Sequence, residues 1–288
     1  MAAARQSRYI RVRETSRSNK HAESRCRGCE RVFSPETQRA DRHRCSPDAF
    51  VPRDFAYSRD MVHEPRKLPA EPFRLIVFDL DGTLIDSRDD LTHSVNAMLR
   101  YLRRQELPED VIASYIGDGV GMLVRRALGD PDDPALLDDA VKYFLAYYRE
   151  HKLDNTYVYP GMLPLLDALR NHPEQPLLAV LTNKPVGPSR AICEALELAE
   201  GMFRIYGGDS FPTKKPDAFG LQTLLREANV EPHQAVMVGD SDVDVLVAKN
   251  AGTFSIGCSF GLSPHTLEIV PPNVLVHTPL DLIPLLVG

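Results

Sequence analysis

The sequence predicts an α/β protein: a Rossmann-like parallel sheet core with an inserted helical cap. Three observations predict it. Short, uninterrupted apolar runs at Leu75-Ile76-Val77-Phe78, 177–181 and 235–238 read as strands buried on both faces, the habit of parallel sheets. Helical apolar spacing over 161–170 and 217–228 lies between or after them, and strand–helix alternation implies right-handed βαβ units. One interval, 89–157, holds no convincing strand. There Leu91, Val95, Met98, Leu99 and Leu102 recur at helical spacing, as do Val141, Phe144, Leu145 and Tyr148, which marks a small helical domain inserted after the first strand. Weaker runs at 253–256 and 274–277 are candidates for further strands.

Composition narrows the function classes. The chain has 288 residues, 43% hydrophobic and 26% charged, which is ordinary for a globular protein with one large or two smaller domains. No apolar run approaches the ~18 residues of a membrane span. The basic N-terminus is not followed by the apolar core of a secretory signal. Five cysteines do not form a disulfide framework, so the expected compartment is the cytoplasm. Net charge is −6 but uneven: residues 1–72 carry 16 Lys/Arg against 10 Asp/Glu, and the remainder 18 against 30. A basic segment is thus joined to an acidic body, and an acidic body argues against nucleic acid as the main partner. It leaves room for a small phosphate substrate, because local cations and a metal reverse the field inside a pocket.

The chemistry-bearing residues follow the predicted strands. Asp79-Leu80-Asp81-Gly82-Thr83 stands directly after the first apolar run, so two carboxylates two residues apart project into the crevice where open α/β sheets bind ligands. The first suits a nucleophile attacking phosphorus, and the second an acid that protonates the leaving oxygen and then activates water. Gly82 lets the backbone turn sharply beside the phosphate. Thr182-Asn183-Lys184 follows the second strand and offers a hydroxyl and backbone N–H groups to phosphate oxygens. Lys214-Lys215-Pro216 offers a cation, and Gly239-Asp240-Ser241-Asp242-Val243-Asp244 brings more carboxylates to the same edge. Each element alone also reads as a plain turn, a solvated lysine pair or an acidic helix start. Their occurrence in this order at successive strand ends is what carries weight.

These four segments resemble the motifs of haloacid-dehalogenase superfamily phosphatases over residues 73–288: Asp79 to Thr83 for the first, Thr182 for the second, Lys215 for the third and Gly239 to Asp244 for the fourth. The resemblance implies Mg²⁺ as cofactor and a phospho-aspartyl intermediate on Asp79, with Asp81 as acid/base and Thr182 and Lys215 holding the phosphoryl group. It implies Asp79, Asp240 and the backbone carbonyl of Asp81 as metal ligands, Asp244 supporting the metal or Lys215, and Gly82, Thr83 and Asn183 at the substrate. Haloacid dehalogenases lack the second aspartate of the first motif, so Asp81 favours phosphoryl chemistry. Ile116-Gly117-Asp118-Gly119-Val120-Gly121, followed by Arg125-Arg126-Ala127-Leu128, is similar to the cap segment of phosphoglycolate phosphatases. Arg126 is then a candidate partner for a substrate carboxylate, against the plainer reading of a solvated arginine near a helix start. The expected activity is hydrolysis of a small phosphate monoester, 2-phosphoglycolate. Alternatives are a nucleotide, sugar-phosphate or pyrophosphate phosphatase or a phosphomutase of the same superfamily.

The expected domain division is a basic N-terminal extension at 1–72, expected to be disordered because it shows no apolar periodicity, a core at 73–88 and 158–288, and a cap at 89–157. Within the extension, Cys26, Cys29, His43 and Cys45 can be read as a Cys₃His zinc site, the basis of a less favoured alternative, a zinc-dependent nucleic-acid binder. The competing reading takes residues 1–60 as upstream sequence, with Met61 as the start of the enzyme. Cys193 and Cys258 read as small core residues.

Overall fold

The computed structural model describes residues 71–287, together with Pro69. In chain order the main elements are β1 (Leu75–Phe78), β2 (Ile85–Asp86), α1 (Arg88–Tyr101), α2 (Glu109–Ala113), α3 (Val120–Ala127), α4 (Pro134–His151), β3 (Tyr157–Val158) and α5 (Met162–Arg170). There follow β4 (Leu177–Leu181), α6 (Val186–Ala195), β5 (Met202–Tyr206), α7 (Phe219–Ala228), β6 (Ala235–Gly239), α8 (Asp242–Ala251), β7 (Phe254–Cys258), β8 (Val274–Val276) and α9 (Ile283–Leu286). The zinc-site reading of Cys26 to Cys45 lies outside the described residues.

The main sheet is parallel throughout, in the order β5-β4-β1-β6-β7-β8. β1 is central because each of its residues is fully buried, so it can lie only where both faces are covered. Ile76 and Phe78 point into a cluster shared with α5 and α6, and Leu75 and Val77 into a second shared with α7 and α8. The chain leaves β1, adds β4 and β5 on one side, then crosses to β6, β7 and β8 on the other. The strand order therefore reverses at β1, and its carboxyl end opens on a crevice flanked by the ends of β4 and β6.

α1 to α4 form an all-helical insert between β2 and β3, two short strands that pair antiparallel. Asp133 caps α4, accepting from the N–H groups of Ala135 and Leu136 at 3.1 and 3.0 Å, and Pro134 follows it at the first helical position. Of the insert's nine apolar positions read from periodicity, Leu91, Val95, Met98, Leu99, Phe144 and Tyr148 are buried, while Leu102, Val141 and Leu145 are only partly so. Asp90 ties its two ends together. It is 1% exposed and accepts hydrogen bonds from the N–H and Nδ2 of Asn155 and from the N–H and Oγ1 of Thr156. Among the described residues, no helix is long and apolar enough to cross a membrane.

Four strands depart from the sequence expectation: β2 and β3, two residues each and not anticipated, and β5 and β7. β5 lies at the sheet edge and is only half-buried, with Arg204 in its middle, so it lacks the continuous apolar signature of the interior strands. β7 runs Phe254–Cys258, two residues further than the run at 253–256 suggests, and Cys258 is fully buried in it.

Candidate active site

Asp79 follows β1 and is 6% exposed. Its N–H donates to the Val238 carbonyl at 2.9 Å, so the sheet's own hydrogen bonding places it beside the end of β6. Lys215, 5% exposed, reaches it from the loop before α7. The lysine Nζ lies 2.8 Å from Asp79 Oδ1 and 2.7 Å from Asp244 Oδ1. The other oxygen of Asp244 accepts from the N–H and hydroxyl of Ser241 at 3.2 and 2.7 Å, part of the cap that starts α8. Asp244 thus has both oxygens engaged and aims Lys215 at Asp79. Gly239 precedes this cluster, and a Cβ there would overlap the Asp244 carboxylate.

Asp240, 3% exposed, stands between these groups and the first loop. Its Oδ2 accepts from the N–H groups of Leu262 and Ser263 at 2.6 and 3.0 Å. Gly82 fits against this carboxylate because it has no side chain: its φ is +85°, and a Cβ would collide with Asp240. Oxygens of Asp79, Asp240 and Asp244 all lie within 4.8 Å of one another. Three buried carboxylates face one buried ammonium, and the electrostatics reflect this. Burial foremost, opposed by Lys215 and reinforced by Asp244 and Asp81, lifts Asp79 to about 6. Burial, with Asp244 and Asp79 as neighbours, pushes Asp240 well above the ordinary carboxylate range. Burial works against the charge of Lys215, but Asp244 and Asp79 outweigh it and hold the ammonium firmly protonated. Hard oxygen donors carrying more negative charge than their surroundings compensate suit a small divalent cation such as Mg²⁺. Asp79 Oδ2 and Asp240 Oδ1 are the oxygens not engaged by the hydrogen bonds just described.

Asp81 belongs to a second charged unit. Lys184 Nζ donates to its Oδ1 and Oδ2 at 2.9 and 3.0 Å, and the Ser87 hydroxyl to Oδ1 at 2.6 Å. Burial opposes the charge of Lys184, but Asp81 raises its pKa on balance. Asp79, Asp81, Thr182 and Lys184 line one side of a small cavity, and the insert supplies the other through Leu91, Gly117, Gly119, Val120, Phe144 and Tyr148 among others. The Thr182 hydroxyl accepts from the Lys184 N–H at 3.2 Å, which leaves its proton to donate.

Asp79, Asp81, Thr182, Lys215, Asp240 and Asp244 therefore come together, with Gly82 packed against Asp240. Of these only Asp79, Asp81 and Thr182 line the cavity, and three other expected site residues do not line it either. Thr83 is fully buried. Asn183 donates through Nδ2 to the carbonyls of Gly117 and Lys215 at 3.1 and 3.0 Å, tying the insert and the lysine loop to the end of β4. Arg126 pairs with Asp118 at 2.6 Å. Lys184, Ser87 and Tyr148 are the functional candidates the sequence reading passed over. The signal for Lys184 was a lysine three residues past a buried strand. Tyr148 was hidden by its own periodicity, since a residue at a core-facing helical position reads as packing.

Carboxylates and a buried lysine gathered where the strand order of a parallel sheet reverses define the site of an α/β enzyme. Comparison with known proteins narrows this. The model of the family described as haloacid dehalogenase-like hydrolase matches residues 76–258, and the chain belongs to that family. It is 40% identical to a protein of Rhodospirillum rubrum named phosphoglycolate phosphatase over 198 residues, 66% of this chain and 81% of that protein. A Pseudomonas putida protein of the same name is 37% identical over 221 residues, 73% of this chain and 79% of the relative. Among solved structures, one titled a predicted phosphoglycolate phosphatase from Haemophilus somnus superposes with a TM-score of 0.70 at 28% identity, covering 75% of this chain and 99% of that one.

Proposed function

We propose that this chain is a Mg²⁺-dependent phosphatase that hydrolyses 2-phosphoglycolate to glycolate and phosphate through a phospho-aspartyl intermediate on Asp79. The observation that carries the reading is the buried set of Asp79, Lys215, Asp240 and Asp244 beside the separately held Asp81. In the first step an Asp79 oxygen attacks phosphorus in line, the ester P–O bond breaks, and Asp81 gives its proton to the departing oxygen. In the second step Asp81 takes a proton from water, the water oxygen attacks phosphorus, and the bond to Asp79 breaks to release phosphate. Lys215 and the Thr182 hydroxyl hold the phosphoryl oxygens. Asp79, Asp240 and the backbone carbonyl of Asp81 are the groups to hold Mg²⁺, and Asp244 supports them through Lys215. When bound, Mg²⁺ neutralises charge on Asp79, Asp240 and the phosphoryl group, so that anions can share one crevice.

The helical insert acts as a cap: it walls the cavity opposite Asp79 and excludes water. Three observations support a small substrate: a cavity of only ≈ 40 Å³, its largely apolar insert side, and relatives named phosphoglycolate phosphatase. The test is phosphate release from 2-phosphoglycolate, ethyl phosphate, glucose 6-phosphate and a nucleoside monophosphate, each with Mg²⁺ and with chelator. The highest kcat/KM is expected for 2-phosphoglycolate, with Mg²⁺ required. Preference for the sugar or nucleotide would reject the substrate, and turnover in chelator would reject the metal.

A further inference from the structure

Tyr148 sits on the last turns of α4, 2% exposed, and lines the cavity over Asp79 and Asp81. Its hydroxyl has no hydrogen-bond partner among the described residues. Lys184 lies beside it, but the ammonium approaches over the ring, 4.6 Å from the centroid, and directs its hydrogen bonds to Asp81. Even a closer ammonium could not satisfy this hydroxyl fully, because lysine only donates and the phenolic proton needs an acceptor. A buried hydroxyl without an acceptor is destabilising and calls for an explanation.

The cavity supplies one. The other insert side chains around it are apolar, among them Leu91, Ile116, Val120, Leu123, Phe144 and Leu145, so Tyr148 is the insert residue lining the cavity that carries a polar side-chain atom. Burial foremost pushes its pKa up to about 12, with Lys184 pulling the other way, so the group stays a donor at neutral pH. Arg126, a cation on α3, is already paired with Asp118.

We propose that Tyr148 is a specificity-determining residue whose hydroxyl donates to the non-phosphoryl, carboxylate end of the substrate. This rests on the reading of the site as a phosphatase for a small carboxylate-bearing ester. The phosphoryl end lies with Asp79, Thr182 and Lys215, and the carboxylate completes the hydrogen bonding of Tyr148. The ammonium of Lys184 next to that position adds favourable charge. Ethyl phosphate, equal in carbon count but without the carboxylate, leaves the hydroxyl unsatisfied and is discriminated against.

The experiment is Tyr148→Phe, which deletes the hydroxyl and keeps the ring. Thermal unfolding is measured alongside kcat/KM for 2-phosphoglycolate and ethyl phosphate, both with Mg²⁺. The ratio of the two kcat/KM values should fall by about 10-fold or more, chiefly through KM for 2-phosphoglycolate, while the unfolding midpoint is unchanged or higher. A wild-type-like ratio in the variant, or a lowered unfolding midpoint with equal losses on both esters, would overturn the role of Tyr148 and leave the phosphatase reading standing. A wild-type enzyme that does not favour 2-phosphoglycolate over ethyl phosphate would overturn the substrate reading and this inference together.

Discussion

Lys184 grips both carboxylate oxygens of Asp81, at 2.9 and 3.0 Å, in a pair whose side chains are 5% and 12% exposed. Two hydrogen bonds from one ammonium hold the carboxylate in place, and the Ser87 hydroxyl fixes it further. On the proposed mechanism Asp81 must meet the leaving oxygen and later the water, so its direction matters as much as its proton. Lys184→Met removes the fork while keeping the bulk of the stem. It should lower kcat by roughly 10–100-fold, because a misdirected acid/base forfeits much of a contribution worth ~10²–10⁴-fold. Lys184→Arg should recover part of the loss. Circular dichroism is the check that the fold survives, and wild-type kcat in folded Lys184→Met would show that Asp81 needs no such support.

Asp79→Asn keeps the volume at the end of β1 but removes the attacking charge and one of the two carboxylate partners of Lys215. Steady-state turnover should drop by at least ~10³-fold, the scale of lost covalent catalysis. Asp81→Asn should behave differently. With a good leaving group it should still transfer phosphoryl to Asp79 and then stall, which intact-protein mass spectrometry would see as a phosphorylated enzyme. An equal, label-free loss in both variants would argue against separate nucleophile and acid/base roles.

How far the sequence disclosed this site depends on what each residue does. Asp79 and Thr182 stand directly after an uninterrupted apolar run and Asp240 one glycine beyond another, and such runs mark interior parallel strands, so their gathering at one sheet edge was readable. Lys215 follows no strand, and only its lysine-proline context pointed to it. β5 was not readable, because an edge strand need not be apolar and Arg204 sits in its centre, where it meets Glu227 at 2.8 Å. β2 and β3 are two residues each, too short for any period to register. The pairing of Arg126 with Asp118 links a loop to a helix turn, and neither composition nor spacing encodes such a geometry. The role of Asp90 was equally hidden, since its partners Asn155 and Thr156 lie 65 and 66 residues away.

Metal should be needed for stability as well as turnover. Asp79, Asp240 and Asp244 lie within 4.8 Å of one another, with Lys215 as their shared ammonium. A cation that binds the folded chain stabilises it by about 2.7 kcal/mol at a hundredfold excess over its dissociation constant. Mg²⁺ should therefore raise the unfolding midpoint of chelator-treated protein by a few degrees and restore activity. Asp240→Asn should lose most of this shift, and Ca²⁺ should support turnover poorly because its looser coordination misplaces in-line oxygens. An unfolding midpoint that does not respond to Mg²⁺ would place the metal elsewhere or nowhere.

Asp90 should govern how firmly the insert is joined to the core. Its carboxylate accepts five hydrogen bonds from Asn155 and Thr156, where the chain leaves the insert, while Asp90 itself opens α1, where the chain enters it. Asp90→Ala strips the acceptor from two backbone N–H groups and a hydroxyl in a buried place, which should cost about 3 kcal/mol in urea unfolding. The pH dependence has a definite sign. Burial alone would raise the Asp90 pKa, but the hydrogen bonds from Thr156 and Asn155 outweigh it and lower the value below the ordinary 3.8. A carboxylate with a lower pKa folded than unfolded stabilises the fold fully above the unfolded value and loses that contribution as pH falls through the folded one. The stability difference between wild type and Asp90→Asn should thus be constant near neutral pH and shrink below about pH 4, as wild-type Asp90 also becomes protonated. A difference that persists undiminished down to pH 2.5 would mean that the negative charge of Asp90 contributes nothing to the clasp and that its shape alone holds the two connections together.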